Sequence, residues 1–252
     1  NLAHGVFAMA GGYLMAVLMN RWGLPFLATL PLAFLGPALL GLVLERTLYQ
    51  RLYARSHLDQ VLFTIGLTFM ATAAMDYAMG SQQQFIKLPE WLTGRVDVFG
   101  VKIGLYRAFI ILICGVLVVA LQLVLGRTRF GAQLRAAVDD QRVARGLGIN
   151  TPFVFAATFA AGSGLAGLGG ALGTEILGLD PTFPLKFLIS FMIVVTVGGT
   201  TSLTGPFYAA ILLGIADVAG KYYVPALGAF IIYGVMIVVL VFRPQGLFGR
   251  AR

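Results

Sequence analysis

Four ionisable side chains lie within or beside long apolar runs of the sequence: His4, Asp76, Glu175 and Asp217. If such runs cross a bilayer, an ionised group inside them is costly, and it is a candidate site for a solute or a proton. Asp76 and Asp217 stand close to the ends of their runs, where they can reach the interface. Glu175 is the best pathway candidate of the four, with an ordinary helix-end residue at the interface as the alternative.

A second candidate for a pathway lining is the stretch VGGTTSLTGP, residues 197–206, which ends a short apolar run. Paired glycines, hydroxyl side chains and a proline are typical of a broken helix. At membrane depth a broken helix is tolerated only inside protein or beside a water-filled cavity. Gly198, Gly199, Thr200 and Thr201 are therefore pathway candidates, and an ordinary tight loop is the alternative.

Catalytic and metal-binding patterns do not occur in the sequence. There is no metal-ligand spacing of His, Cys and carboxylates, no Gly-x-Ser-x-Gly elbow and no Walker A loop. An enzyme is therefore poorly supported, and no cofactor is expected on this chain. If the protein moves a solute with ATP, another chain must hold the nucleotide.

The composition indicates the environment in which these residues are placed. Of 252 residues, 59% are hydrophobic and 11% are charged, whereas soluble domains carry roughly 25% charged residues. Long apolar runs without strand-like alternation predict an all-α, polytopic membrane protein rather than a barrel. The net charge of +8 is carried by short loops between the runs, which favours membrane orientation over nucleic-acid binding.

The sequence predicts about eight spans in a single transmembrane domain covering residues 1–252. The runs lie at 1–19, 24–44, 61–79, 106–125, 152–176, 187–200, 203–219 and 226–242. With residues 127–150 in the cytoplasm, eleven of the eighteen basic residues lie inside, as the positive-inside rule requires. Both ends of the chain then face the cytoplasm. Residues 80–105 form the largest outer loop, in which the alternation in VDVFGVKI suggests a small ordered cap or hairpin.

Small residues in AAGSGLAGLGGALG, residues 160–173, recur four positions apart and predict a close helix contact. The residues concerned are Gly162, Ala166, Gly169, Gly170 and Gly173. Two other stretches resemble each other, GPALLGLVLER at 36–46 and GPFYAAILLGIAD at 205–217. Because the first would run inward and the second outward, they have the relation expected of an inverted repeat.

The stretch RTRFGAQLRAAVDDQRVARGLGIN, residues 127–150, is too polar to cross a membrane. The spacing predicts one amphipathic helix over about 132–147, on which Leu134, Ala137, Val138, Ala144 and Leu147 can share a flank. An interfacial helix on anionic lipid is one interpretation. The adjacent acids Asp139 and Asp140 favour a protein partner with basic groups instead.

Several motifs together identify a resemblance that runs from end to end of the chain. They are NLAHG at 1–5, LERTLYQRLYARS at 44–56, FTIGLTF at 63–69, FGVKIGLYR at 99–107, GRTRFGAQLRAAVDDQRVARGLGIN at 126–150 and FRPQGLFG at 242–249. Their order resembles the LivH-type permease subunits of branched-chain amino acid ABC importers. That family has a further hydrophobic segment before NLAHG. Because this chain also begins without methionine, we expect its N-terminus to be incomplete.

The resemblance implies that residues 127–150 contain a cytoplasmic coupling helix, which docks in a cleft of an ATPase subunit. The residues that would form or position this contact are Arg135, Ala136, Ala137, Asp139, Asp140, Arg142, Leu147 and Gly148. Arg135 stands where many other ABC importers have a glutamate.

The implied partners are a second homologous permease, two ATP-binding subunits that hold ATP and magnesium, a periplasmic binding protein and lipid of a bacterial inner membrane. Branched-chain or other hydrophobic amino acids are the expected substrates. Similar permeases serve urea, short amides and aromatic acids, and the sequence does not decide among these substrates. A self-contained channel or secondary carrier is an alternative of another class.

Overall fold

The computed structural model describes residues 2–53, 55–98, 100–199 and 204–249 of the chain, most of them helical. In chain order the helices are α1 (His4–Asn20), α2 (Phe26–Leu44), α3 (Gln50–Leu52), α4 (His57–Met79), α5 (Glu90–Thr93), α6 (Leu105–Arg127), α7 (Arg129–Asp139), α8 (Gln141–Gly146), α9 (Thr151–Leu177), α10 (Phe183–Gly198), α11 (Gly205–Tyr223) and α12 (Gly228–Phe242). A π-helical turn, Glu45–Tyr49, joins α2 to α3.

Eight of these helices coincide with the eight predicted apolar runs: α1, α2, α4, α6, α9, α10, α11 and α12. Four stretches are long and apolar enough to cross a membrane, namely Phe26–Leu52, His57–Met79, Leu105–Arg127 and Thr151–Leu177. Shorter apolar helices cover His4–Asn20, Phe183–Gly198 and Phe230–Phe242. The chain is therefore a polytopic helical membrane protein, in which each span satisfies its own backbone hydrogen bonds.

The described residues fall into two compact units. The first unit comes from residues 1–115 and 124–186, and the second from residues 116–123 and 187–252. In the first unit, glycines let backbones approach closely. A Cβ at Gly170 of α9 would lie 1.9 Å from the carbonyl oxygen of Ala8, and one at Gly11 of α1 would lie 2.1 Å from that of Gly167. Such contact between small residues replaces the hydrophobic effect that lipid does not supply.

The contact face of α9 differs from the predicted one. A Cβ at Gly169 would meet nothing within 4 Å, and one at Gly173 would meet only Leu177 of the same helix, at 3.4 Å. A Cβ at Gly162 would come no closer than 3.8 Å to the His4 imidazole, and Ala166 is half-buried. Among the predicted positions, only Gly170 leaves no room for a side chain.

The two segments proposed as an inverted repeat occupy different places in their helices. Pro37 lies inside α2, where its ring fits against Gly167 of α9. Pro206 lies in the first turn of α11, where a missing N–H costs no helical hydrogen bond. The Gly-Pro pairs are therefore not structurally equivalent, and the repeat itself stays a prediction.

The loop between α4 and α6 contains the small hairpin that the alternation predicted. Strands β1 (Arg95–Val98) and β2 (Val101–Gly104) pair antiparallel. The loop is also tied to the helices of the first unit. The Gln84 N–H donates to the Leu179 carbonyl at 2.7 Å, and the Asn20 amide donates to the Phe85 carbonyl at 2.9 Å. These bonds hold the loop at the end of the unit where α1 and α9 finish.

The second unit has its own apolar core, which consists of Ile193, Val197, Ala209 and Leu213 with half-buried neighbours from α12. The segment after α12 folds back onto the end of α10. There the Leu247 N–H donates to the Val197 carbonyl at 2.8 Å, and the rings of Tyr208 and Phe248 stack with centroids 5.3 Å apart.

Candidate functional site

The charged segment forms two helices rather than the single helix predicted over 132–147. At Asp140 the chain is extended, with φ −149° and ψ 104°, and this residue separates α7 from α8. Its carboxylate accepts from the backbone N–H groups of Arg142 at 2.8 Å and Val143 at 3.0 Å. Aspartate is among the best residues for this N-cap role. The break therefore follows from a capping preference that competes with continuation of the helix.

The start of the segment is fixed to the end of α6. The α7 backbone passes so close that a Cβ at Gly131 would lie 2.0 Å from the Leu125 carbonyl oxygen. The Arg135 guanidinium donates to that same carbonyl. A cation at a helix C-terminus also interacts favourably with the helix dipole. Arg135 thus binds within this chain.

The buried side of the segment packs α7 and α8 against the start of α9. Ala137 and Ala144 form one cluster with Val154, and half-buried apolar side chains surround it. The surrounding residues are Phe130, Leu134, Ala136, Ile149 and Phe155. Because Ala137 and Ala144 are small, the two helices can pack closely on α9.

The end of the segment is bonded to the first residue of α9. The hydroxyl oxygen of Thr151, which is 0% exposed, accepts from Arg145 Nε at 2.8 Å and from Gln141 Nε2 at 3.3 Å. Between α8 and α9 the chain turns through Gly148, whose φ of +81° suits glycine.

The segment also exposes apolar side chains. Val138 is 68% exposed, Val143 is 58% exposed and Leu147 is 75% exposed. The sequence placed Val138 and Leu147 on one flank with Ala137 and Ala144, but Val138 and Leu147 are exposed whereas Ala137 and Ala144 are buried. Exposed apolar side chains outside any span are candidates for an interaction surface where they form one patch.

Two charged residues accompany this apolar surface. Asp139 and Arg142 are exposed, and neither side chain has a hydrogen bond or an ion pair within the described part of the chain. Their charges are therefore available to an outside partner. We call Val138, Asp139, Arg142, Val143 and Leu147 the docking surface.

The predicted pathway residues lie elsewhere. Glu175 is half-buried near the end of α9, and its carboxylate has no hydrogen bond among the described residues. Gly198 and Gly199 are buried; a Cβ at Gly199 would lie 2.8 Å from the Gly249 nitrogen. They contact the backbone of the C-terminal segment in the second unit. Thr200 and Thr201 lie outside the described residues.

Sequence reasoning missed Glu45, which is 0% exposed in the π-helical turn. The Gln50 amide lies 3.3 and 3.4 Å from its two carboxylate oxygens, and Arg46 Nε lies 3.8 Å from one of them. Burial, and then the Glu45 carboxylate beside it, raises the pKa of the Tyr53 phenol above its ordinary value. An acid that directly ends an apolar run was the available signal.

A cavity of about 430 Å³ lies beside this turn, and Tyr49, Tyr53, His57 and Gln60 contribute to its lining. Among the residues that the structure describes, no group of three or more His, Cys, Asp or Glu side chains could hold a metal ion.

Comparison with known proteins identifies what the chain is similar to. The family model described as the permease component of branched-chain amino acid transport systems matches residues 1–240. The high-affinity branched-chain amino acid transport system permease protein BraD of Pseudomonas aeruginosa is 27% identical, over 99% of this chain and 86% of that protein. LivH of Escherichia coli K12 is 25% identical, with coverages of 99% and 85%. The probable branched-chain amino acid transport permease protein LivH of Methanocaldococcus jannaschii is 25% identical, with coverages of 99% and 82%. No solved structure matches the chain.

Proposed function

The chain belongs to the family of permease components of branched-chain amino acid transport systems, and we propose that it forms half of the translocation pathway of an ATP-driven importer. A second, homologous permease supplies the other half. Two partner subunits hold ATP and magnesium, and a periplasmic binding protein delivers the solute. The substrates are branched-chain or other hydrophobic amino acids, in keeping with the names of the relatives.

The observation that carries the proposal is the docking surface. Its apolar side chains, Val138, Val143 and Leu147, are exposed on a segment that is itself firmly held. A cleft in an ATP-binding subunit would remove these side chains from water, and the free charges of Asp139 and Arg142 would fix the register of the contact. On this proposal residues 127–150 and the C-terminus face the cytoplasm of a bacterial inner membrane.

Movement of the ATP-binding subunits would reach the spans through the two ends of this segment. ATP binding closes the partner subunits and displaces the docked surface. One end of the segment is bonded to α6 through Arg135 and Leu125, and the other is bonded to α9 through Thr151. Because α9 packs backbone to backbone on α1, a displacement at its first turn moves more than one span.

The test is to make the docking surface polar without altering the buried side of the segment. Val143→Ser and Leu147→Ser together should abolish co-purification of the ATP-binding subunit and ATP-driven uptake, while membrane insertion is unchanged. Gln133→Ser is the matched control, because Gln133 is exposed on α7 and is not part of the docking surface.

Undiminished association with the ATP-binding subunit in the double variant would contradict the docking proposal. Solute transport by the purified chain alone, without ATP-binding subunits, would favour a self-contained carrier instead. Binding measurements on the partner binding protein would separate amino acids from urea, short amides and aromatic acids.

A further inference from the structure

The contact at Thr151 fixes the orientation of α8 as well as attaching it to α9. Its hydroxyl accepts from two side chains of α8, Gln141 at the first position of the helix and Arg145 at the fifth. A buried hydroxyl with two donors from the same short helix fixes both the position and the tilt of that helix. By contrast, a single bond would allow α8 to pivot.

The covalent connection between α8 and α9 is poorly suited to transmit force by itself. It runs through residues 147–150, where Leu147 is exposed and Gly148 has a positive φ. Glycine gives a connection more conformational freedom than other residues do. The turn has a backbone bond of its own, from the Ile149 N–H to the Ala144 carbonyl at 3.1 Å, but that bond ends two residues before α9. The side-chain bonds to Thr151 are the hydrogen bonds that join α8 directly to α9.

The charged residues of the segment fall into two groups, those bonded within this chain and those without a partner among the described residues. Arg135 and Arg145 bond to groups of this chain, at the Leu125 carbonyl and the Thr151 hydroxyl. Arg142 and Asp139 are exposed and have no such partner among the described residues. The short helix α8 therefore carries one arginine that is bonded to α9 and one that has no partner among the described residues.

We propose that Thr151 is a positioning residue that makes α8 and the first turn of α9 move as one body, with Arg145 and Gln141 as its donors. The inference rests on the proposed function, since it concerns how displacement of a docked segment reaches the spans. The hydroxyl fixes the orientation of α8, because the apolar packing of Ala144 on Val154 has no directional preference. Loss of the hydroxyl therefore leaves the segment in place but lets it slide.

The test compares Thr151→Val with Thr151→Ser. Valine keeps the volume of the buried side chain but cannot accept a hydrogen bond, whereas serine keeps the hydroxyl. Each permease is reconstituted in proteoliposomes with its partner permease, the ATP-binding subunits and the binding protein. Amino acid uptake per ATP hydrolysed should fall by roughly tenfold in Thr151→Val, the range expected for loss of one to two net hydrogen bonds. Thr151→Ser should retain most of the original ratio.

A second variant guards against a folding defect at a buried position. Arg145→Met removes the principal donor from an exposed residue, and it should lower uptake per ATP by a similar factor. The double variant Arg145→Met with Thr151→Val should be no worse than Thr151→Val alone, because the bond from Arg145 is one of the two that Thr151→Val already removes. Normal co-purification of the ATP-binding subunit is expected in all of them.

The outcomes separate this inference from the proposed function. An unchanged ratio of uptake to ATP hydrolysis in both Thr151→Val and Arg145→Met overturns the role of Thr151 and leaves docking intact. Additive losses in the double variant overturn it as well. Failure of the docking variants, Val143→Ser with Leu147→Ser, to affect association with the ATP-binding subunit would instead overturn the proposed function.

Discussion

Asp140 combines a backbone cap and a negative charge, and two substitutions separate these properties. Asp140→Ala removes the cap and the charge, whereas Asp140→Ser removes the charge and keeps an oxygen that caps helices well. The cap bonds the N–H groups of Arg142 and Val143. We predict that Asp140→Ala impairs transport and that Asp140→Ser does so much less.

The magnitude follows from the size of α8. Loss of an aspartate cap costs about 1 kcal/mol, which is roughly a fivefold change in an equilibrium constant. The helix has only six residues, far fewer than an isolated helix needs to be stable in water. Because α8 is only marginally stable, loss of the cap should raise the fraction of molecules with α8 unwound about fivefold.

Hydrogen exchange and transport measure the two consequences. In Asp140→Ala, the amides of Arg142 and Val143 should exchange about fivefold faster, and ATP-driven uptake in proteoliposomes should fall. Equal losses of uptake in Asp140→Ala and Asp140→Ser, with unchanged exchange, would refute the capping argument and assign the role to charge. Asp139→Lys is the matched comparison, because Asp139 is charged but caps no backbone group. It should weaken association with the ATP-binding subunit and leave exchange unchanged.

Two further predictions concern packing and orientation. Gly170→Ala should lower the thermal midpoint of the detergent-purified protein, because its Cβ would lie 1.9 Å from the Ala8 carbonyl oxygen and overpacking typically costs about 1–3 kcal/mol. Gly169→Ala, whose Cβ would meet nothing within 4 Å, should leave the midpoint unchanged. Equal midpoints for the two variants would contradict the packing described. In a Cys114→Ala background, a cysteine at position 142 should react with a membrane-impermeant maleimide only from the cytoplasmic side. A cysteine at position 102, in the hairpin, should react only from the other side, and labelling of both from one side would contradict the proposed topology.

The positions of the spans and the hairpin followed from local pattern alone. Apolar runs bounded by Pro25, Gly80 and Gly178 predicted helices of about those lengths. The alternation around Gly100 predicted a small ordered cap or hairpin, and the structure has the hairpin. Such signals need no knowledge of neighbouring elements. For the same reason the polarity of residues 127–150 was enough to exclude a span there.

The contact face of α9 could not be predicted in this way. Its glycines fit two stripes on the helix surface, one through Gly169 and Gly173 and another through Gly167 and Gly170. The second stripe is preferred because Ala8 and its neighbours in α1 are small enough to meet it. These small residues of α1 lie more than 150 residues away in the sequence, so the spacing of residues within α9 does not reveal which stripe makes the contact.

Two features of the candidate site could not be predicted from residue type alone. Asp139 and Asp140 look alike in sequence, but Asp140 caps α8 and only Asp139 is free for a partner. Glu45 directly follows an apolar run and precedes Arg46, yet it is fully buried. In both cases the role depends on where the backbone turns.

The hairpin before α6 is a suitable site for inserting a tag or a label. It satisfies its own strand pairing, and its turn at Gly100 is exposed. The 23 residues of α6, at 1.5 Å per residue, separate it from α7 by roughly 35 Å. An epitope tag or a fluorophore inserted after Gly100 should therefore leave the proposed docking surface on α7 and α8 undisturbed.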